Sequence, residues 1–238
     1  MSVHGGHRER MRKRFIDEDL DNFSPHNVLE LLLFYAIPQK DTNEIAHRLL
    51  NTFGSLSGVL DAPVDELKNI KGIGENAAVF IKLLPSACRR YMDDKFGKAI
   101  TVNSPEEAGK YLKPKYIGVM EEIAVMLFLD GKSKILGCDR VSEGVVNEVV
   151  ISKRKIIELA VRYNATAVIL SHNHPRGFAL PSEADVETTW QIRSALEIIG
   201  VRLIDHIIVA DDDFVSMGQT GKFKFIFDKK PLDDDNDE

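Results

Sequence analysis

Apolar positions in the first 95 residues recur at helical spacing, and none of this half alternates as a strand does. Ser24 followed by Pro25 is typical of a helix start, and the almost continuous apolar run at 28–34 predicts that this helix is central and buried. Further helices are predicted after Asp41, at 56–60, at 64–70 and from about Glu75 to Met92. The pattern therefore predicts an α-helical N-terminal domain over 1–95.

The pattern changes beyond the charged segment 93–99, where we predict the domain boundary. The short continuous apolar run at 123–128 predicts a buried strand, and Asp130-Gly131 predicts a hairpin turn after it. Other strands are predicted from 134, within 141–150, at 165–170, at 201–210 and at 214–217, with helices at 152–164 and 182–200. This mixture predicts an α/β or α+β domain with a mixed sheet over 100–226.

Composition is that of a globular protein. The apolar fraction of 44% supports a packed core, and no run reaches the roughly 18 apolar residues that span a bilayer. The N-terminus carries no apolar signal core, so we expect a cytoplasmic protein without a membrane partner. Cys88 and Cys138 lie far apart and predict two reduced, mostly buried thiols rather than a disulfide or a cysteine zinc site.

The formal net charge of -6 does not describe the two halves equally. Residues 1–100 carry 14 basic and 14 acidic side chains, so the helical half is neutral. Five acidic residues lie in the last eight positions, 231–238, and we predict an acidic disordered tail over 227–238. The acidity therefore gives no information about a substrate.

The segment after the predicted strand at 165–170 carries the strongest chemical signal. His172 and His174 lie two apart, so an extended backbone points both imidazoles to one side. Ser182 is a predicted N-cap, and Asp185 falls in the first turn of its helix, where the carboxylate can face the histidines. Two histidines and a carboxylate with an open position form a catalytic type of zinc site. Each element alone has an ordinary explanation, as surface histidines or a capped helix, so the prediction rests on their combination.

This combination resembles the JAMM (MPN+) metalloprotease motif, in which His-x-His-Pro is followed by Ser-x-x-Asp. Apart from the tail, the chain is similar to the RadC family, which pairs a JAMM domain with an N-terminal helix-hairpin-helix region. The resembling stretches are 33–38, 43–50, 127–130, 167–177, 181–185 and 205–209. The resemblance implies a JAMM (MPN, cytidine-deaminase-like) α/β domain whose mixed sheet is mainly antiparallel and flanked by helices.

The resemblance also implies site residues. The implied zinc ligands are His172, His174 and Asp185. Ser182 is implied to donate a hydrogen bond to the substrate oxygen as negative charge develops. A glutamate base is implied directly before the strand at 123–128, which by register is Glu122. The adjacent Glu121 is the alternative, and strand alternation allows only one of the two to serve.

Two features beside the motif bear on the substrate and on the histidines. Phe178-Ala179-Leu180 is more apolar than the resemblance implies, so the rim of the pocket, and with it the substrate, can differ from other members. His206 is either a residue that supports a metal ligand or an ordinary core histidine with its polar atoms satisfied.

A second motif lies between helices in the N-terminal half. Ile70-Lys-Gly-Ile-Gly-Glu75 places two glycines in a tight turn before a helix N-terminus, and it resembles a helix-hairpin-helix hairpin. The resemblance implies contact of Lys71, Gly72 and Gly74 with a DNA backbone, without base readout. The nearby basic residues are Lys68, Lys82, Arg8, Arg10, Arg12, Lys13 and Arg14. The alternative is a plain packing module, which the neutral charge of this half favours.

Three functions follow. The first is a zinc-dependent hydrolase of the JAMM type that cleaves a peptide or isopeptide bond in a protein substrate. The second is a DNA-repair-associated nucleic-acid-binding protein whose metal domain acts at or near DNA. The third is a binding module with a vestigial metal site, against which the intact set of motif residues argues.

Overall fold

The computed structural model describes residues 3–96, 100–145, 148–175, 177–211 and 213–228. The chain divides between Cys88 and Arg89 into two compact units, and this division falls inside a helix ahead of the charged segment 93–99. The predicted acidic tail lies outside the described residues from 229 onward. Among the described helices, none is both long and apolar enough to cross a membrane.

The N-terminal unit is helical, as predicted. Its helices are α1 (Val3–Glu18), α2 (Pro25–Ala36), α3 (Asn43–Phe53), α4 (Leu56–Asp61), α5 (Val64–Lys68) and α6 (Glu75–Phe96). Ser24 is the N-cap of α2 and Pro25 is its first residue, since a proline needs no donor there. Both Leu29 and Leu33 of α2 are buried among side chains of α3 and α6, which makes α2 the central helix.

The turn between α5 and α6 requires its first glycine. Gly72 has a φ of +104°, which L-residues with a side chain rarely adopt. A Cβ on Gly72 would lie 2.8 Å from Ile45 Cδ1, which is inside van der Waals contact. Gly74 has open space around its Cα, and Ile73 between the two glycines is buried. The turn is therefore packed against α3 as well as leading into α6.

The second unit is a mixed sheet with helices. Its helices are α7 (Pro105–Leu112), a 3-10 turn (Lys113–Tyr116), α8 (Lys153–Arg162), α9 (Glu183–Glu197) and a 3-10 turn (Lys224–Ile226). Its strands are β1 (Ala124–Leu129), β2 (Ile135–Arg140), β3 (Ser142–Val145), β4 (Glu148–Ile151), β5 (Ala167–Asn173), β6 (Arg202–Ala210) and β7 (Asp213–Ser216). The five-stranded sheet has the order β2-β1-β5-β6-β7, and only the β5–β6 pair is parallel. The prediction of a mixed, mainly antiparallel sheet is confirmed.

Apolar side chains cover both faces of this sheet. One face packs Met126, Phe128 and Leu170 against α8 and α9. The other face packs Leu127 and Ile169 against α7 and the 3-10 turn that follows it. Continuous apolar strands such as β1 arise from this arrangement, because both sides of the strand are buried.

Two details differ from the sequence-based expectations. Helix α7 was not predicted, since it is short and carries charged residues, yet Ser104 caps it through the amide of Glu107. The prediction of mostly buried thiols is wrong for Cys88, which is exposed. Burial raises the pKa of the Cys138 thiol to about 12, so only this cysteine behaves as expected.

Candidate metal centre

Strand β5 brings the two histidines together. It pairs with β1 on one side and β6 on the other, which fixes its carboxyl end. His172 lies in the strand and is 2% exposed, and His174 follows it with its backbone N–H donated to the carbonyl of Val209 at 2.7 Å. The ladder thus continues through His174, and the two Nε2 atoms lie 2.9 Å apart.

Helix α9 supplies the carboxylate. Ser182 is its N-cap and Asp185 is the third residue of the helix, and together they form a capping box. Asp185 Oδ2 accepts hydrogen bonds from the backbone N–H of Ser182 at 2.7 Å and from its hydroxyl at 2.6 Å. The same hydroxyl accepts from the backbone N–H of Asp185 at 3.2 Å. The first turn of α9 therefore holds the Asp185 side chain in one orientation.

In that orientation Asp185 faces the histidines. Its Oδ1 lies 3.1 Å from His172 Nε2, and its Oδ2 lies 3.9 Å from His174 Nε2. Burial opposes ionisation, but the hydrogen bond and charge of His172, followed by the hydrogen bonds of Ser182, hold the pKa of the Asp185 carboxyl well below its usual range. Asp185 is therefore an anion that points its oxygens at two imidazoles.

Of the two glutamates before β1, Glu122 reaches the cluster. Its carboxylate and the ring nitrogens of His172 and His174 all lie within 4.8 Å of one another. Neither Glu121 nor Glu122 belongs to β1, which begins at Ala124, so strand alternation does not decide between them. Their side chains are exposed, in contrast to the buried His172.

Asn173 holds the backbone on both sides of Glu122. Its Oδ1 accepts a hydrogen bond from the backbone N–H of Ile123 at 2.9 Å, and its Nδ2 donates to the carbonyl of Glu121 at 3.0 Å. The backbone N–H of Asn173 also donates to the carbonyl of Ile123 at 3.3 Å. The residue between the two histidines thus ties the glutamate segment to the end of β5.

The segment after His174 forms a rim with exposed apolar side chains. His174 Nδ1 donates a hydrogen bond to the carbonyl of Phe178 at 2.8 Å, since a carbonyl oxygen only accepts. The side chains of Phe178 and Leu180 are 82% and 64% exposed, and Ala179 between them is buried. The backbone of this rim orients the ring of His174, while the exposed side chains of Phe178 and Leu180 are available to contact another molecule.

His206 on β6 lies behind the cluster. It is 1% exposed, and its Nε2 lies 2.8 Å from His172 Nδ1. Its Nδ1 lies 2.7 Å from the hydroxyl of Thr189 on α9. Burial, with the neighbouring His172, holds the pKa of His206 well below its ordinary value, so the ring is neutral.

The helical hairpin offers fewer unpaired cations than its sequence suggests. Lys71, Gly72 and Gly74 lie in the turn between α5 and α6. Of the lysines near them, Lys68 pairs with Glu75 at 2.9 Å, and Lys82 donates to the carbonyls of Leu60 and Asp61 at 2.7 and 3.0 Å. In the basic N-terminal helix, Arg8 donates to carbonyls at the C-terminal end of α2 and beyond, which are those of Phe34, Ile37, Pro38 and Lys40.

Asn173 and Thr189 contribute to the site although their sequence context did not single them out. Thr189 lies four residues after Asp185, which is one helical turn and the same face, so helical spacing is the signal that identifies it. Asn173 lies between the histidines, and a polar residue on the opposite side of a buried strand end is the corresponding signal.

Comparisons with known proteins agree with this architecture. Residues 102–222 match the RadC-like JAB domain, and residues 6–79 match the UPF0758 N-terminal family. A UPF0758 protein of Fusobacterium nucleatum is 36% identical over 91% of this chain and 96% of its own length. A UPF0758 protein of Carboxydothermus hydrogenoformans is 34% identical over 87% of this chain and 92% of its own length. The fold is thus metallohydrolase-like, with a His/Glu group that could hold a metal ion, and the chain belongs to the RadC family.

Proposed function

We propose that the protein is a zinc-dependent hydrolase of the JAMM type that cleaves a peptide or isopeptide bond in a protein substrate. The observation that carries the proposal is the meeting of two imidazoles and two carboxylates at the end of β5. His172, His174 and Asp185 supply the metal ligands, and Glu122 lies beside them. A surface histidine pair with an ordinary helix cap would not include the second carboxylate.

The spacing and chemistry of the donor atoms fit zinc. Zn–N and Zn–O bonds of about 2.0–2.1 Å in a tetrahedron separate neighbouring ligand atoms by about 3.3–3.4 Å. The two Nε2 atoms lie 2.9 Å apart, and Asp185 approaches them with different oxygens, Oδ1 at 3.1 Å from His172 and Oδ2 at 3.9 Å from His174, so these distances bracket that value. Magnesium and calcium prefer sites made of oxygen atoms alone, whereas two histidines and a carboxylate suit zinc or ferrous iron. Metal analysis separates the last two.

The two carboxylates differ in how they are held, and this supports their separate roles. Asp185 is fixed by the Ser182 backbone and hydroxyl and lies 3.1 Å from a ring nitrogen, as a ligand must. Glu122 is exposed and longer, and Asn173 holds the backbone of the residues on either side of it. A side chain that is free to approach and leave a reacting atom suits a general base.

In this proposal the chain supplies proton transfer and charge stabilisation. Bound zinc would polarise the scissile carbonyl and lower the pKa of water to about 7. Glu122 takes a proton from the attacking water and later gives it to the leaving amine. The hydroxyl of Ser182, which donates to Asp185 Oδ2 at 2.6 Å, turns its proton to the developing oxyanion.

The test begins with metal content. Purified wild-type protein is expected to hold one zinc per chain by elemental analysis, Asp185→Ala to lose it, and Glu122→Gln to retain it. Stoichiometric iron in place of zinc, or no metal at all, would contradict the proposal. Unchanged metal content in Asp185→Ala would remove Asp185 from the ligand set.

Activity is tested by substrate trapping. Glu122→Gln keeps the ligands but lacks the base, so we expect proteins to accumulate on it that wild type cleaves, with turnover lowered about 10²–10⁴-fold. Glu121→Gln is the matched control, because it removes the neighbouring carboxylate, and it is expected to behave as wild type. Full function of Glu122→Gln in cells would instead indicate a binding module that does not hydrolyse.

DNA association through the helical unit is the alternative, and it has less support. Lys68 and Lys82 near the Gly72 turn are engaged with carboxylate and carbonyl oxygens, which leaves Lys71 as the best-placed contact for a phosphate. Binding, if phosphate-driven, weakens steeply with salt. A salt titration with branched and single-stranded DNA tests it, and the absence of binding at low salt would exclude it.

A further inference from the structure

A buried chain of hydrogen bonds connects helix α9 to the ring of His172. The hydroxyl of Thr189 donates to the backbone carbonyl of Asp185, one turn earlier in the helix. The same hydroxyl lies 2.7 Å from His206 Nδ1, and His206 Nε2 lies 2.8 Å from His172 Nδ1. Thr189, His206 and His172 are all buried, so no water competes along this chain.

The direction of each hydrogen bond follows from the first one. A backbone carbonyl only accepts, so the single hydroxyl proton of Thr189 is used toward Asp185. Thr189 must then accept from His206 Nδ1–H. The His206 ring is 1% exposed and its ring nitrogens contact Thr189 and His172, so a second proton on it would be a buried charge without a counter-ion, and Nε2 carries none. His206 Nε2 is left as an acceptor, and it accepts from His172 Nδ1–H. The proton of His172 is therefore on Nδ1.

This arrangement leaves two lone pairs facing each other. When the two histidines act as metal ligands, His172 Nε2 carries a lone pair because its proton is on Nδ1, and His174 Nε2 carries one because Nδ1 donates to the Phe178 carbonyl. The two Nε2 atoms are only 2.9 Å apart, with Asp185 Oδ1 3.1 Å from the first. As three acceptors these atoms repel one another unless a metal ion lies among them, and without a metal ion the hydrogen bond between His172 and Asp185 takes its place.

We propose that Thr189 and His206 are positioning residues that hold His172 in its Nδ1-protonated form and thereby set the affinity of the cluster for zinc. This inference rests on the proposed metal site. Ligating histidines commonly donate their second N–H to an oxygen acceptor. Here the acceptor is Nε2 of a neutral histidine, His206. It can accept from His172 only while the proton of His206 is on Nδ1 and is donated to Thr189.

The hydroxyl of Thr189 is tested first, by zinc affinity rather than by turnover. In competition with a chromophoric chelator, Thr189→Val is expected to bind Zn²⁺ about 10–100-fold more weakly than wild type. The reason is that His206 Nδ1–H then faces a methyl group and has no acceptor. If the His206 proton moves to Nε2 instead, His206 donates to His172 Nδ1, and the proton of His172 must move to Nε2, where the metal would bind. Thr189→Ser restores the hydroxyl and is expected to restore affinity. Thr188→Val, the same change one residue earlier in α9, is the matched control.

Substitutions of His206 give an independent measurement if Thr189→Val does not fold. His206→Gln can still accept from His172 Nδ1–H through its amide oxygen, so its zinc affinity is expected to exceed that of His206→Leu, which has no acceptor. Wild-type affinity in both Thr189→Val and His206→Leu would overturn the proposal.

The tautomer itself is measured by ¹⁵N NMR of the histidine rings in zinc-free wild type. The expected spectrum has His172 and His206 protonated on Nδ1. The reversed order, with Thr189 donating to His206 and His172 protonated on Nε2, would overturn the proposal even if zinc binds. A wild-type protein that binds no zinc but shows the expected tautomers would refute the proposed function, whereas the order of protons along the chain of hydrogen bonds would be confirmed.

Discussion

Truncation of Asn173 is the substitution whose effect can be worked out most fully from the structure. Asn173→Ala removes two hydrogen bonds. One is donated by the N–H of Ile123 to Asn173 Oδ1 at 2.9 Å, and the other is donated by Asn173 Nδ2 to the carbonyl of Glu121 at 3.0 Å. Ile123 is buried, so its amide keeps no partner, whereas Glu121 is exposed and water can replace the lost donor. A buried donor without a partner costs about 1–3 kcal/mol, so we expect the free energy of unfolding of the second unit to fall by about 1–3 kcal/mol.

The assay is urea unfolding followed by the fluorescence of Trp190. This residue is the single tryptophan of the chain and lies on α9, so the signal reports the second unit. Asn43→Ala is the control, because it removes a hydrogen bond to Glu30 in the N-terminal unit and should leave the Trp190 transition in place. An unchanged midpoint for Asn173→Ala would mean that the amide of Ile123 does not depend on the Asn173 side chain.

The same variant separates positioning of the base from binding of the metal. His172 and His174 keep their own contacts in Asn173→Ala, so zinc affinity is expected to stay near wild type. The backbone on both sides of Glu122 loses its support, and a displacement of the Glu122 carboxylate by about 1 Å lowers turnover about 10²-fold. A loss of zinc affinity as large as the loss of turnover would mean that Asn173 supports the ligands instead.

Three further predictions concern other parts of the second unit and its boundary. Phe178→Ser is expected to raise KM while zinc content stays unchanged, because only the backbone of this residue contacts His174; a fall in zinc content would contradict this. Iodoacetamide at pH 8 is expected to label the exposed Cys88 and spare Cys138, whose pKa of about 12 leaves a thiolate fraction of about 10⁻⁴; equal labelling in a mass spectrum would contradict it. Below about pH 6.5 the unfolded chain binds a proton at His206 that the folded chain does not, since burial lowers its pKa. The free energy of unfolding of the zinc-free protein should therefore decrease as the pH is lowered below about 6.5, by about 1.4 kcal/mol per pH unit from this group. Urea titrations can measure this slope, and His206→Gln is expected to remove it.

The apolar pattern predicted the elements that bury hydrophobic side chains and missed those that bury polar ones. Strand β1 could be predicted because its side chains are apolar on both faces. Strand β5 was predicted to end at Leu170 but extends to Asn173. Its last residues are polar and buried only because each finds a partner, such as Tyr116 for Ser171 at 2.9 Å. Such partners come from elements distant in sequence, which spacing along one chain cannot show.

The same limit applies to the site. The spacing of His172, His174, Ser182 and Asp185 reflects one strand, one turn and one helix start, so the local sequence predicts that they meet. The position of Glu122 beside the histidines depends instead on the register of β1 against β5, where Ala124 lies opposite His172. The sequence pattern alone did not indicate that register, and the resemblance to a known family supplied the glutamate.

The capping box at the start of α9 has a thermodynamic consequence. Because Asp185 is immobilised by the helix start itself, its rotamer freedom is lost on folding and not on cation capture, which favours tight binding. Cation occupancy and closure of this turn are then linked equilibria, and saturating cation raises the free energy of opening by RT ln(1 + [M]/Kd). Amide hydrogen exchange at Asp185 and Val186 should accordingly slow with cation concentration, so this turn reports occupancy without any substrate.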